Sequence, residues 1–327
     1  MIEAFDAVLF DLDGVIYLGP QPVAGAAEGV RGLRDRKIAI GFVTNNAARS
    51  PREVAEHLTA LGVAATETDV VTSSQAGARL LAEQVPAGSK VLIIGTEALA
   101  EQVALVGLEP VHDLTEMPAA VIQGYHPNLY WPLLEEACVA IQHGAVWVAT
   151  NTDSTRPTER GIVPGNGAAV AAVRTAVDVD PLVAGKPHRP LIDEAVRRTG
   201  ASNALFVGDR LDTDIEGAHA VGLASAMVLT GAHGVRDLLA AHPGARPTML
   251  LVDLPEMFEP ARVAEPIEGG FRCRAAEARV LEGTLRVVGP EDTPARAADA
   301  AWAAANACWA AADAGIAVDR NGWGADR

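Results

Sequence analysis

The apolar run Ala7-Val8-Leu9-Phe10, followed at once by Asp11-Leu12-Asp13-Gly14, constrains this chain more than any other stretch. Four consecutive apolar residues without polar alternation read as a strand buried on both faces, the pattern of a parallel sheet covered by helices. In open α/β sheets ligands gather beyond the carboxyl ends of the strands, which is where these two carboxylates fall. Like charges this close cost electrostatic energy unless a cation or a shifted pKa relieves them. The pair therefore reads as functional, and the fold class as α/β with a doubly wound, Rossmann-like parallel sheet.

The alternation continues along the chain. A helix is expected over 24–36, an apolar strand over 38–43 ending at the polar break Thr44-Asn45-Asn46, and a helix opened by Ser50 as N-cap with Pro51 in its first turn. A third strand at 69–73 completes a βαβ order. The middle of the chain has strands of its own at 91–95, 119–122 and 146–149, and reads as a second α/β unit inserted into the first. A Pro- and Gly-rich passage, Arg156 to Gly167, is expected to cross back over it. From Lys186 the first style resumes, with helices at 189–198 and 215–221 and strands at 204–207, 226–229 and 249–252. Beyond these, residues 272–288 read as a β-hairpin turning near Glu282-Gly283. Asp292-Thr293-Pro294 then caps an Ala-rich helix carrying Trp302 and Trp309 on one face, a packing appendage rather than a catalytic element. The expected division is a first core part over 1–75, an inserted α/β cap over 76–183, a second core part over 184–255, and a small C-terminal α+β extension of unknown role over 256–327.

Bulk properties narrow the function. A formal net charge of −16 with no offsetting basic run argues against nucleic-acid binding. No stretch has the length of a membrane span, and the amino terminus lacks a basic segment leading into an apolar one, so a cytoplasmic location is expected. Cys138, Cys273 and Cys308 are far apart and odd in number, as expected for structural thiols in a reducing compartment. Homo-oligomerisation is left open.

Four polar constellations sit at ends of core strands or starts of core helices: Asp11 with Asp13, Thr44-Asn45-Asn46, Gly185-Lys186-Pro187, and Gly208-Asp209 with Thr213-Asp214. Phosphate-ester cleavage needs a nucleophile, an acid for the leaving oxygen, and neutralisation of charge on the transferring phosphoryl. Asp11 is the candidate nucleophile, forming an aspartyl-phosphate, and Asp13 the candidate general acid and later base. Oxygen ligands from Asp11, Asp209 and the Asp13 backbone carbonyl suit a hard divalent cation, Mg²⁺ best, with Asp214 as a water-mediated ligand or an orienting group behind them. Lys186 supplies fixed positive charge, while Thr44 offers a hydroxyl and Asn45 a backbone N–H to phosphate. Asn151, Asp153, Arg156 and Arg160 lie in a loop of the insert and are candidates for substrate specificity; loop solvation or internal ion pairing is the competing reading. Tyr17 belongs to a small flap beside Asp13 or packs there. Neither a dinucleotide fingerprint nor a P-loop is present, and Pro164-Gly165-Asn166-Gly167 reads as a structural turn.

Taken together, DLDGVIYLG, TNN, GKP and GDRLDTDI resemble the four motifs of the haloacid dehalogenase superfamily of phosphohydrolases. The stretches GYHPNLYWPLLEEACVAI and ATNTDSTRPTERGIVPGNGA resemble its p-nitrophenyl phosphatase or nucleotide phosphatase branch, which has a large α/β cap. The resemblance covers residues 5 to 253. It implies the roles given above to Asp11, Asp13, Thr44, Asn45, Lys186 and Asp209, and a Mg²⁺-dependent phosphomonoesterase acting on a small phosphate ester. Glycerol 3-phosphate is the leading substrate; nucleoside monophosphates, phosphoglycolate, pyridoxal phosphate and sugar phosphates are the alternatives. Transfer of the phosphoryl to an acceptor other than water is a second reading. A catalytically silent ligand-sensing or scaffold protein is a third, from another class.

Overall fold

In the computed structural model, which describes residues 1–158, 160–320 and 323, β1 (Ala7–Phe10) is buried at every position, as a strand covered on both faces must be. After Asp11 the chain makes a two-rung hairpin, β2 (Tyr17–Leu18) and β3 (Gln21–Pro22), and then α1 (Ala26–Asp35). Helix α1 buries Ala26, Gly29, Val30 and Leu33, the spacing of one helical face. It starts two residues later than expected because Gly25 at φ 82° holds a left-handed conformation ahead of the first turn. Strand β4 (Ala39–Thr44) follows, and the Ala39 N–H donates to Asp6 O at 3.0 Å. The chain divides into two units, Met1–Ile40 with Ala201–Arg327, and Gly41–Gly200.

In the second unit the rest of β4 is followed by α2 (Pro51–Ala60), β5 (Val70–Thr72), α3 (Ser73–Ala82), β6 (Lys90–Ile94), α4 (Glu97–Leu105), β7 (Glu109–Val111), β8 (Ala120–Gln123), α5 (Trp131–Gln142), β9 (Val146–Ala149), β10 (Thr155–Thr158), β11 (Gly161–Pro164), α6 (Asn166–Arg174), β12 (Leu182–Val183) and α7 (Arg189–Thr199). Ser50 caps α2 as expected, within a capping box: the Glu53 N–H donates to its hydroxyl, and its own N–H donates to the Glu53 carboxylate. Strands β4 and β5 are parallel, with Thr44 opposite Thr72. A five-stranded parallel sheet in the order β12-β9-β8-β6-β7 forms the heart of the insert. Its side chains alternate with period two: Leu92, Val121 and Trp147 pack towards α5 and α6, whereas Val91, Ile122 and Val148 pack towards α3 and α4. The Pro- and Gly-rich passage does not cross over the insert as a loop. It forms the antiparallel hairpin β10–β11, pairing Thr155 with Pro164 and Thr158 with Gly161, a two-stranded ribbon whose free edges tolerate proline.

Back in the first unit come β13 (Ala204–Gly208), α8 (Glu216–Val221), β14 (Ala224–Val228), α9 (Val235–Ala240), β15 (Met249–Leu251), β16 (Glu265–Ile267), β17 (Gly270–Cys273), β18 (Ala276–Leu281), β19 (Thr284–Val288) and α10 (Pro294–Asp313). Strands β15-β14-β13-β1 are parallel neighbours in that order, and the register Ala7↔Ala204 to Phe10↔Val207 sets the carboxyl ends of β1 and β13 side by side. Strands β16 to β19 form a four-stranded antiparallel sheet, two strands more than the expected hairpin. Glu282 and Gly283, at φ 50° and 75°, turn β18 into β19 where the turn was expected. Helix α10 is capped by Thr293 with Pro294 in its first turn, and its Trp302 and Trp309 meet edge to face at 5.6 Å. Ala301, Trp302 and Trp309 share one apolar cluster with Met227, Leu238 and Leu250, so the extension packs as part of the first unit's core. The fold is thus α/β, with parallel sheets flanked by helices, an inserted α/β cap and a small α+β extension. Among the described residues no helix is long and apolar enough to cross a membrane.

Candidate functional site

The register of β1 against β13 brings the first and fourth constellations together. One carboxylate oxygen each from Asp11, Asp209 and Asp214 lie within 4.8 Å of one another. Asp209 and Asp214 are 2% and 0% exposed. Three carboxylates this close, two of them buried and Asp11 half-buried, favour a cation among them, and an all-oxygen donor set of this kind fits a hard divalent ion. The backbone is shaped to admit the carboxylates. A Cβ at Gly14, where φ is +83°, would stand 2.2 Å from Asp209 Oδ2, one at Gly231 would stand 2.0 Å from the same atom, and one at Gly208 would meet Asp214 at 2.2 Å. The Ala232 N–H donates to Asp209 Oδ2 at 2.6 Å, and the Arg210 N–H to Asp214 Oδ2 at 3.1 Å. A π-helical turn, Leu211–Ile215, closed by the Ile215 N–H donating to Arg210 O at 3.2 Å, runs up to the point where the sequence reading begins an ordinary helix. The wider turn places Asp214 back against Gly208.

Asp13 stands exposed two residues beyond Asp11, and its carboxylate is not among the clustered three. It bridges to Tyr17 at the start of β2, and the Gly14 N–H donates to Tyr17 O at 2.8 Å. Tyr17 therefore does sit on a hairpin flap beside Asp13. Thr230, two residues past β14, donates its hydroxyl to Gly14 O at 2.6 Å and holds the loop after Asp13.

The second unit gathers the other candidates. Thr44 ends β4 at 4% exposure, and its hydroxyl accepts the Asn46 N–H at 3.1 Å. The Asn45 side chain clasps the backbone of Lys186 on both sides: Oδ1 accepts the Lys186 N–H at 2.8 Å, and Nδ2 donates to Lys186 O at 3.1 Å. The same Nδ2 lies 3.2 Å from Asp153 Oδ2. Asn45 O accepts from Asn151 Nδ2 at 2.7 Å and from the Ser73 hydroxyl at 2.6 Å. Lys186 is 3% exposed, and its Nζ donates to Val43 O at 3.4 Å. Asn45, Lys186, Asn151 and Asp153 thus form one hydrogen-bonded group, with Thr44 next to Asn45 along the chain.

The four insert candidates consequently divide. Asn151 and Asp153 hold the Asn45–Lys186 pair. Arg156 lies on β10, stacks over Tyr125 at 4.6 Å and donates to its hydroxyl at 2.7 Å, while Arg160 is exposed beside the turn of the same hairpin. The Pro164–Gly167 turn is structural as expected: Cβ atoms at Gly165 and Gly167 would fall 2.2 Å from the carbonyl oxygens of Asp153 and Thr152. Sequence reasoning did not single out Thr230, Gly231, Ala232 or Ser73. A Thr-Gly pair closing a core strand and a Ser opening a helix are their only local signs, and both are common.

Family models match in two stretches: one for haloacid dehalogenase-like hydrolases over residues 8–109, and one described as HAD-hydrolase-like over residues 183–257. A D-glycerol 3-phosphate phosphatase of Mycobacterium tuberculosis is 53% identical over 261 residues, spanning 80% of this chain and 73% of the relative. A Bacillus subtilis 5′-nucleotidase is 34% identical, spanning 70% and 89%. Among solved structures, a glycerol phosphate phosphatase from M. tuberculosis in complex with magnesium is similar at a TM-score of 0.85 and 47% identity, covering 94% of this chain and 91% of that one.

Proposed function

This chain belongs to the haloacid dehalogenase-like hydrolases, and we propose that it is a Mg²⁺-dependent phosphomonoesterase whose substrate is glycerol 3-phosphate. The observation that carries the reading is the trio of half-buried Asp11 with buried Asp209 and Asp214, the last two cradled by glycines, at the ends of parallel strands. The donor set fits Mg²⁺, for which Asp11, Asp209 and the Asp13 carbonyl are the assigned ligands, with Asp214 behind them. When bound, the ion offsets the carboxylate charge and polarises the phosphoryl oxygens.

The rest is the work of the chain's own residues. Asp11 attacks phosphorus, and the bond to the ester oxygen breaks as an aspartyl-phosphate forms. Asp13, exposed two residues beyond Asp11, protonates the departing alkoxide. It then takes a proton from the water that hydrolyses the acyl-phosphate and returns Asp11 as a carboxylate. Thr44, the Asn45 N–H and Lys186 are assigned to the phosphate. The clasp of Asn45 on the Lys186 backbone, with the Lys186 ammonium on Val43 O, supports that assignment, since a fixed positive charge costs little reorganisation during the reaction. We take the cap as residues 76–183 and assign Asn151 and Asp153 to holding this group rather than to choosing substrates. Arg156, stacked on Tyr125, and Arg160 remain assigned to specificity. We place the enzyme in the cytoplasm, which agrees with three free thiols.

The relatives also include a 5′-nucleotidase, so nucleoside monophosphates are the second substrate class to test. The test is phosphate release with Mg²⁺ across glycerol 3-phosphate, nucleoside monophosphates, phosphoglycolate, pyridoxal phosphate and sugar phosphates, comparing kcat/KM. The expected result is a preference for glycerol 3-phosphate. A higher kcat/KM on another ester reassigns the substrate, and silence across the panel refutes the enzyme.

A further inference from the structure

Helices α3, α4 and α7 of the second unit enclose a groove of about 360 Å³ that has no part in the site above. At its floor lies Glu194, 4% exposed, on α7. Its carboxylate takes Arg197 in two bonds, Nε to Oε2 at 2.8 Å and Nη2 to Oε1 at 2.7 Å, and Arg198 through Nε at 2.6 Å. Arg79, on α3, approaches it through Nε at 3.7 Å. One buried carboxylate therefore anchors three guanidiniums, in a chain whose net charge is −16. Arg198 spends one of its five N–H donors in this contact. Two more carboxylates are near. Glu83 is 3.5 Å from Arg79, and Glu67 at the rim is 3.6 Å from Arg52. Both are more than half exposed and weakly felt across water. Gln102, on α4, is 7% exposed and adds a carboxamide to the lining.

We propose that this groove is a binding site for a small phosphate-type dianion. Guanidinium edges fixed by a carboxylate match the oxygens of such an anion and lose little entropy on binding it. Leu105, 77% exposed, and Val106 beside it supply an apolar rim suited to the organic stem of a phosphate ester. The site is also wired to the chemistry. Helix α3 begins at Ser73, whose hydroxyl holds Asn45 O, and α7 begins just after Lys186. An anion on Arg79 and Arg198 pins the far halves of α3, whose Ser73 holds Asn45 O, and of α7, which starts three residues after Lys186. Through Gln102 it also ties α4, within the proposed cap, to α7. The binding stands on this geometry alone; only its effect on turnover rests on the phosphatase reading.

The test is isothermal titration of the full chain, with Mg²⁺, against inorganic phosphate and against propylphosphonate. Wild type is compared with the Arg79→Gln/Arg198→Gln double variant, which leaves Glu194 paired to Arg197. Two classes of site are expected in wild type, with one class at least about tenfold weaker in the variant, the effect of losing a charge-assisted bond. Tighter binding of the phosphonate to that class marks an organic phosphate as the occupant, and equal binding marks free phosphate; either supports the site. A single class in wild type that the variant loses refutes phosphate binding at the catalytic residues and leaves this groove standing. Crystals soaked in tungstate should show an anomalous peak between Arg79 and Arg198, which decides the matter if the variant fails to fold. Identical isotherms and no peak overturn the proposal.

Discussion

Replacing Gly231 by alanine tests whether the acid trio is a shaped catalytic centre or an incidental cluster. The new Cβ would stand 2.0 Å from Asp209 Oδ2 and 2.4 Å from its Cβ and Cγ, where ordinary contact begins at 3.4 Å. Gly231 does not sit at a positive φ, so the cost is steric rather than conformational. Asp209 is 2% exposed and has no room to swing away, so its carboxylate must move by about 1 Å. Such a movement breaks the 2.6 Å bond from the Ala232 N–H. Losing a hydrogen bond to a charged group costs about 1.5–3 kcal/mol. A displacement of about 1 Å at a catalytic group costs about a hundredfold in rate, some 2.7 kcal/mol. The two estimates agree, and both fall on the affinity for the divalent ion and on kcat/KM. The assay is phosphate release from p-nitrophenyl phosphate over a Mg²⁺ titration, with circular dichroism to confirm the fold. The Mg²⁺ concentration for half-maximal rate should rise and kcat/KM should fall by about a hundredfold. Wild-type values of both in a folded variant would refute the assignment of Asp209 to the reacting centre.

Asp11→Asn should lower turnover by at least about a thousandfold while leaving the protein folded. Because it removes one of three crowded carboxylates, its unfolding temperature in EDTA should equal or exceed that of wild type, and a clear drop would contradict the repulsion argument. Arg262 lies 7% exposed between Glu256 and Asp299 and donates to Leu250 O at 3.0 Å. Burial pushes its pKa down, but the two carboxylates outweigh that and hold it above the usual value. Arg262→Ala leaves buried Asp299 with only the exposed Arg274 and strips half-buried Glu256 of its guanidinium, and urea unfolding should show a loss of about 3 kcal/mol; a loss below about 1 kcal/mol would show the cluster to be dispensable. Burial pushes the thiols of Cys273 and Cys308 up to about 11, so at pH 8 neither should react with a disulfide reagent until the chain unfolds, whereas Cys138, only half-buried, should react first.

The first of these perturbations also marks the boundary of what the sequence discloses. Asp11, Thr44, Lys186 and Asp209 were legible because each interrupts an apolar strand or opens a helix, and such breaks are local events in a linear pattern. Gly231 was not, since its importance lies in an oxygen of Asp209, a residue just past β13 that the parallel pairing of β13 with β14 sets so close that a Cβ on Gly231 would stand 2.0 Å from it. Ser73 escaped for the same reason: its hydroxyl serves Asn45 O, a partner set by the pairing of β4 with β5. Asn151 and Asp153 were visible as polar loop residues, yet their orientation towards Asn45 depends on the turn that Gly165 and Gly167 allow against the backbone of Thr152 and Asp153. Elements escaped where ordinary residues hold unusual geometry. Arg274, at φ 51°, turns β17 into β18 without the expected glycine or asparagine, and the π turn at Leu211–Ile215 has no distinct composition. Functional side chains thus announce themselves by breaking the hydrophobic pattern, whereas the residues that make room for them are found only once the strands are paired. It follows that substitutions at Gly14, Gly208 and Gly231, none of which touches substrate in this reading, should be as damaging as those at the acids they cradle.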